Sequence, residues 1–413
     1  MNKLKGKRFY IITLIVGILL RLALMPFSLH VDPTFGGDLL AINEFAYLFI
    51  NGHPLTGGPY PPLALYTIGL FQAILLPNSS QLLSTGAALK LQSLLAPDLF
   101  RVLFVSKCLY LVFDILIVLL WYGFFRKEPE KRKLAWIFWI FNPLVIYNAY
   151  IHGGFELIPL FFVVLSLYFS KVGKLHWAAL GLGIAACYKN FPFFFLPPLI
   201  IIMACSWRDR LKLLLWGIVP YILLNLPFWG IFGSSMNSYT EWYFKVGYDL
   251  GFGAQVYIFF ALYAVIFWYL FHHKAHTFED FWRACFAILL VYLQFSYFDL
   301  HYWVWIVPFA TIFLVEYSRE AKPFYIVIGL LLLPLLAPTP LARFLASISP
   351  RFFLRLPSLM EALNPYLPML FITNVVRSLL AGTCLYLVWK LIRGIPTAHP
   401  EAVLSTPDPY ISA

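Results

Sequence analysis

Apolar stretches of 14 to 26 residues recur along the whole chain, and most charged residues fall in the gaps between them. Crossing the hydrocarbon layer of a bilayer takes about 20 mainly apolar residues. Twelve stretches are expected to do so: 9–28, 99–124, 134–150, 155–171, 175–188, 192–207, 211–230, 254–271, 281–297, 302–317, 324–341 and 367–392. Several are short and need tilt or protein neighbours. Only 12% of the residues are charged, against roughly a quarter in ordinary soluble domains. Soluble, disordered, collagenous and disulfide-scaffold classes are therefore excluded. The expected fold class is an all-α, polytopic transmembrane helical bundle of about 12 spans, within a range of 11–13.

The placement of basic residues sets the orientation. Lys3, Lys5, Lys7 and Arg8 precede the first span, which runs on through Arg21 to Pro26 without a small-residue cleavage site. It reads as a retained signal anchor with a cytoplasmic N-terminus. The stretch 60–77 is ambiguous. If it spans, Arg126, Lys127, Lys131, Arg132 and Lys133 fall outside; if it lies in the interface, they fall inside, as the positive-inside rule prefers. With that choice, 19 of the 30 Lys and Arg residues are cytoplasmic, seven are outside and four lie within spans. The net charge of +11 is thus a topology signal, and no nucleic-acid partner is needed. Residues 1–394 form one membrane domain, with outer loops at 29–98, 231–253 and 342–366. The Pro-rich segment 395–413 is a cytoplasmic tail, expected to be disordered. The five cysteines lie in apolar spans and suit neither a disulfide framework nor a zinc site.

Ionisable groups at membrane depth are costly, so each one on the outer side is a candidate. Asp38 follows Gly36 and Gly37 and opens an amphipathic segment in which Leu39, Ile42, Phe45, Ala46 and Phe49 share one face. It suits an N-cap, which would also hold a carboxylate rigidly at the mouth of the bundle. Asp32, before Pro33, reads as a turn residue, and Glu44 points away from Asp38. Gly57 to Pro62 form a stiff turn that contains Tyr60 and leads into a helix. A second break, Asn142-Pro143 to Glu156, contains His152 and Glu156 around two glycines that permit close approach. Lys189 marks a third break, and must snorkel, pair or bind an anion. Asp299, His301 and Tyr302 mark a fourth. Arg343, Arg351 and Arg355 stand outside against the positive-inside rule, where they fit an anionic ligand or lipid headgroups. There is no Walker loop, HExxH, GxSxG or CxxC pattern. Carboxylates, cations, histidines and aromatics on one face fit a sugar and a phosphate at a membrane surface.

These motifs, taken in order, resemble the GT-C superfamily of membrane glycosyltransferases. The string Asp38, Ala46, Gly52, Pro54 and Tyr60-Pro61-Pro62-Leu63 is similar to polyprenol-phosphate-mannose-dependent mannosyltransferases and dolichyl-phosphate-glucose glucosyltransferases. The segments FNPLVIYNAYIHGGFE, CYKNFPFFFLPP and FDLHYWVWIVPF resemble their later motifs, so the likeness extends over roughly residues 10–310. It departs in carrying Asp38 where many members have paired acids, and Glu156 where glutamine and aspartate are usual. The resemblance implies an inverting hexosyl transfer, of mannose or glucose. The donor would be a polyprenyl-phosphate sugar, and the acceptor a lipid-linked glycan or glycolipid on the outer or lumenal face. Asp38 would be the general base. Lys189, His301, Arg343, Arg351 and Arg355 would stabilise the leaving phosphate. Asp32, Glu44, Tyr60, His152, Glu156, Asp299 and Tyr302 would bind substrate, the tyrosines by stacking on sugar faces. No cofactor is implied; a divalent metal is compatible but not required, and no metal ligands are assigned.

Two other readings fit the charges. A transporter or lipid flippase also places ionisable groups at membrane depth, but needs them near the midplane rather than on one face. A non-catalytic membrane subunit that binds a glycan or lipid is the third.

Overall fold

Backbone polar groups find no water in hydrocarbon, so a chain this apolar must satisfy them internally, and it does so with helices. The computed structural model describes residues 2–29, 38–52, 60–76, 94–228, 244, 246–251, 254–272, 277–296, 299–339 and 341–394. The main helices are α1 (Asn2–Leu24), α2 (Asp38–Ile50), α3 (Pro62–Leu75), α4 (Leu99–Phe124), α5 (Pro129–Ile140) and α6 (Leu157–Lys171). There follow α7 (Leu175–Ala186), α8 (Leu196–Met203), α9 (Trp207–Asn225), α10 (Ile258–His272), α11 (Phe278–Phe295) and α12 (Val307–Glu316). The last two are α13 (Ser318–Leu335) and α14 (Met369–Arg393). Among the described residues four segments are long and apolar enough to cross a membrane: Leu99–Phe124, Pro129–His152, Trp207–Phe228 and Met369–Arg393. Shorter apolar helices pack around them. Ile11, Ile15, Leu19, Leu70, Ile74, Leu223, Val265, Trp268, Leu330 and Phe371 are all exposed, a surface that lipid solvates and water does not. The chain is an integral membrane protein.

Local chemistry shifts several expected boundaries. The Ser206 hydroxyl accepts from the Asp209 amide at 3.1 Å and Thr277 accepts from the Asp280 amide at 3.2 Å. These caps start α9 and α11 before the apolar runs begin. The expected span 254–271 starts later, because Gly247–Gly251 and Ala254–Tyr257 pair as an antiparallel hairpin and helix begins only at Ile258. Within 134–150 the helix breaks: Asn142 accepts from the Leu144 amide at 3.0 Å, and Pro143 starts a new turn. The 60–77 stretch is the 14-residue helix α3, about 21 Å long and too short to span the hydrocarbon alone. It packs on α2, where a Cβ on Gly69 would lie 2.8 Å from the Ala46 carbonyl. Gln72 of α3 and Ser106 of α4 both donate to the Asn43 side chain, the latter at 3.0 Å, tying α2 to its neighbours. Residues 30–37, 53–59 and 77–93 of the first outer loop, and all of 231–243 and 395–413, lie outside the described residues.

The two ends of the bundle differ. At one end, Arg132 Nε donates to Tyr10 Oη at 3.2 Å, Lys131 pairs with Glu316 at 2.7 Å and Lys390 pairs with Glu320 at 2.9 Å. These contacts place the 126–133 loop, the start of α13 and the end of α14 at one basic level. At the other end, the buried Lys107 ammonium donates to the carbonyls of Met25 at 3.2 Å, Ser28, and Tyr150 at 2.9 Å. The Leu29 amide donates to the Phe344 carbonyl at 3.0 Å. The exit of α1, the second break and the 341–345 turn therefore meet there.

Candidate functional site

The second break is the centre of that end. After Pro143–Ile146 the chain takes a π-helical turn over Tyr147–His152, which Gly153 ends with φ of +92°. The amides of Gly153 and Gly154 both donate to the Asn148 carbonyl at 2.8 Å. Both glycines are required by space. A Cβ on Gly153 would lie 2.8 Å from Leu39 Cβ, and one on Gly154 would lie 2.2 Å from Glu156 Oε2. The N-terminus of α2 is thereby seated on the break.

Glu156 is 1% exposed. Its Oε1 pairs with the Lys189 ammonium, and its Oε2 accepts from Asn148 Nδ2 at 2.8 Å. Asn148 Nδ2 also donates to the His301 carbonyl at 3.2 Å. His301 Nε2 lies 3.9 Å from Glu156 Oε1, and His301 Nδ1 lies 2.9 Å from Asp299 Oδ1. The ring of His301 stacks on that of His152, with centroids 4.2 Å apart and planes 15° apart. Asp299 also caps the turn that follows, accepting from the His301 amide at 3.2 Å. Burial pushes the Asp299 carboxyl up, but the charge of His301, its hydrogen bonds and His152 outweigh that and hold it well below the usual carboxylate range.

Aromatic rings wall the cluster. The Lys189 ammonium sits 4.7 Å from the Tyr302 centroid and 5.1 Å from that of Phe155. Tyr60 meets Phe155 edge-on at 5.4 Å and Phe45 at 6.4 Å. Phe344 packs on Tyr147 at 5.8 Å and on His152 at 6.5 Å. The cluster is not sealed: the Lys189 side chain is 17% exposed and that of Asp299 is 32% exposed. It holds two carboxylates, an ammonium, two imidazoles and faces for stacking, with one side reachable.

The structure thus brings together His152, Glu156, Lys189, Asp299, His301, Tyr302 and Tyr60 from four separate breaks. Arg343 adjoins Phe344; it is half-buried, and its Nε is buried without a hydrogen-bond partner among the described residues. Arg351 and Arg355 are exposed. Glu44 is buried on α2, with Oε2 lacking a partner among the described residues, and burial pushes its carboxyl up. Asp38 is the first residue of α2, and Asp32 lies outside the described residues. Among the described residues no three His, Cys, Asp or Glu side chains converge as metal ligands.

Sequence reasoning missed Asn148, which bridges Glu156 and the His301 backbone. It also missed Asp114, in the middle of α4. Asp114 accepts from Arg21 Nε at 2.6 Å, Trp139 Nε1 at 2.7 Å and Tyr150 Oη at 2.8 Å. This second centre of charge lies deeper in the bundle and holds the π-helical turn from behind.

Over 247 residues the chain is 23% identical to GPI mannosyltransferase 1 of Kluyveromyces lactis, a match covering 57% of this chain and 56% of that protein. The chain therefore spans about half the length of the curated relative it matches. No family model matches the chain.

Proposed function

We propose that the protein is a membrane glycosyltransferase that moves a hexose, mannose first, from a polyprenyl-phosphate donor to a lipid-linked glycan or glycolipid. The observation that carries this reading is the contact of Leu39 with Gly153, which seats the α2 N-terminus, beginning at Asp38, beside the Glu156–Lys189–His301 cluster. Similarity to a protein named as a mannosyltransferase supports the reaction class and favours mannose over glucose.

The transfer is inverting. The acceptor hydroxyl oxygen attacks the anomeric carbon, its proton passes to the Asp38 carboxylate, and the bond from that carbon to the phosphate oxygen breaks with its electron pair. The leaving polyprenyl phosphate needs positive charge rather than a proton. His301, Arg343, Arg351 and Arg355 supply it together with Lys189, whose charge is shared with Glu156. Asp32, Glu44, His152, Glu156 and Asp299 bind sugar hydroxyls, and Tyr60 and Tyr302 stack on sugar faces. Residues 1–394 form one catalytic unit with its site on the outer or lumenal face, and the tail 395–413 lies on the cytoplasmic side with the N-terminus.

The test is a transfer assay. Protein in lipid is mixed with polyprenyl-phosphate mannose, glucose, arabinose or galactosamine and with lipid-extract acceptors, beside Asp38→Asn. A glycosylated product that disappears in a folded Asp38→Asn is expected. Product undiminished in that variant removes Asp38 as the base. Accumulation of sugar in vesicles without a new glycosidic bond replaces the enzyme with a transporter.

A further inference from the structure

A groove of about 590 Å³ runs between α13 and α14, far from the cluster at the other end. Its walls include Phe324, Val327, Leu379, Gly382 and Tyr386, and Lys390 closes its basic end. Of the three hydroxyls beside it, two are engaged within α14, Ser378 Oγ donating to the Asn374 carbonyl and Thr383 Oγ1 to the Leu379 carbonyl, both at 2.8 Å, and the third, of Tyr386, lies toward the Lys390 end. Along its length the groove therefore suits hydrocarbon rather than a polar ligand. From Ser378 to Lys390 it covers about 18 Å of helix, close to one leaflet of a hydrocarbon layer about 30 Å thick.

The basic end carries the specificity. Lys390 pairs with Glu320 at 2.9 Å and lies 5.3 Å from the Tyr386 ring centroid, while Arg393 lies 4.7 Å from that of Trp389. Arg319 and Lys322 flank Glu320 on the same turn of α13. Lys390 and Arg393 stand in the last turn of α14, and the Lys390–Glu320 pair is exposed enough to exchange its partner at little cost. We infer that this groove binds one anionic phospholipid, with an acyl chain between α13 and α14 and the headgroup phosphate on Lys390 and Arg393. The site is independent of the proposed transfer reaction. A cation near the membrane surface strengthens binding of an anionic lipid by about fivefold.

The full-length protein in detergent is titrated with phosphatidylglycerol, phosphatidylcholine and polyprenyl phosphate at equal concentration, and retained lipid is counted by native mass spectrometry. One phosphatidylglycerol is expected, favoured over phosphatidylcholine by about fivefold or more. Gly382→Leu fills the groove at a position where a Cβ meets nothing within 4 Å, and should cut retention about tenfold without unfolding. Val327→Trp, on the opposite wall, should do the same. Lys390→Gln with Arg393→Gln should keep lipid but lose the preference for the anionic one. Equal retention of the two phospholipids by the wild type, or unchanged retention in both filled variants, overturns the site. Preferential capture of polyprenyl phosphate overturns the choice of occupant.

Discussion

Asp114 and Glu156 are both buried carboxylates paired to a cation, yet their surroundings differ. Around Asp114, on α4, the partners come from α1, α5 and the π-helical turn, and Arg21 and Asp114 are 3% and 2% exposed at the side chain. Around Glu156 the partners come from breaks between helices, and Lys189 and Asp299 reach the surface. Burying an ion pair rarely adds net stability, but removing one partner leaves a charge stranded. A sealed pair can therefore only hold structure, and here it holds the turn that carries His152. An open pair can exchange a partner for a ligand. The difference separates scaffold from site.

The largest expected effect is on the sealed centre. Asp114→Ala strands the Arg21 guanidinium and should cost about 3–5 kcal/mol, seen as a lower melting temperature and less monodisperse protein. Replacing both charges, Arg21→Met with Asp114→Leu, should recover most of that loss. An Asp114→Ala protein that melts like the wild type breaks the comparison. Next comes the hinge between the centres. Gly153→Ala should cost about 1–3 kcal/mol through its left-handed backbone alone, and more because its Cβ meets Leu39. Gly173, with φ of +74° and nothing within 4 Å, is the control. Gly173→Ala bears the strain without the clash, so the gap between the two melts measures how firmly α2 is seated.

The smallest effect concerns Asp299. Its folded carboxyl is held low, so the stability it contributes is fully present above the unfolded value of about 3.9 and is lost as the pH falls through the folded value. The melting difference between wild type and Asp299→Asn should stay below about 1 kcal/mol and should shrink in strong acid. A difference that vanishes near pH 6 would place the titration on another group.

The membrane class and most helices were legible because apolarity over 15 to 25 residues leaves few other structures available. The breaks were legible too, since Pro, Gly and ionisable residues interrupt apolar sequence at Asn142-Pro143, His152 to Glu156, Lys189 and Asp299. Pairing across the bundle was not. Asp114 stands inside Leu-Val-Phe-Asp-Ile-Leu-Ile, where an intramembrane acid is itself a signal, but its partner Arg21 is 93 residues away. Asn148 looks neutral in sequence, and only the π-helical turn aims it at Glu156. The hairpin over 247–257 carries too few alternating residues to stand out from a loop. Among the described residues four segments are long and apolar enough to cross alone, and shorter apolar helices such as α6, α7 and α12 stand at other expected spans.

The most direct test of the division between scaffold and site sets Glu156→Gln against Asp114→Asn, with transfer per folded molecule and melting temperature measured on both. Glu156→Gln should melt close to the wild type and lose at least about tenfold in transfer. Asp114→Asn should melt lower, while the molecules that remain folded still transfer sugar. Full transfer by Glu156→Gln, or folded but inactive Asp114→Asn, would contradict the account.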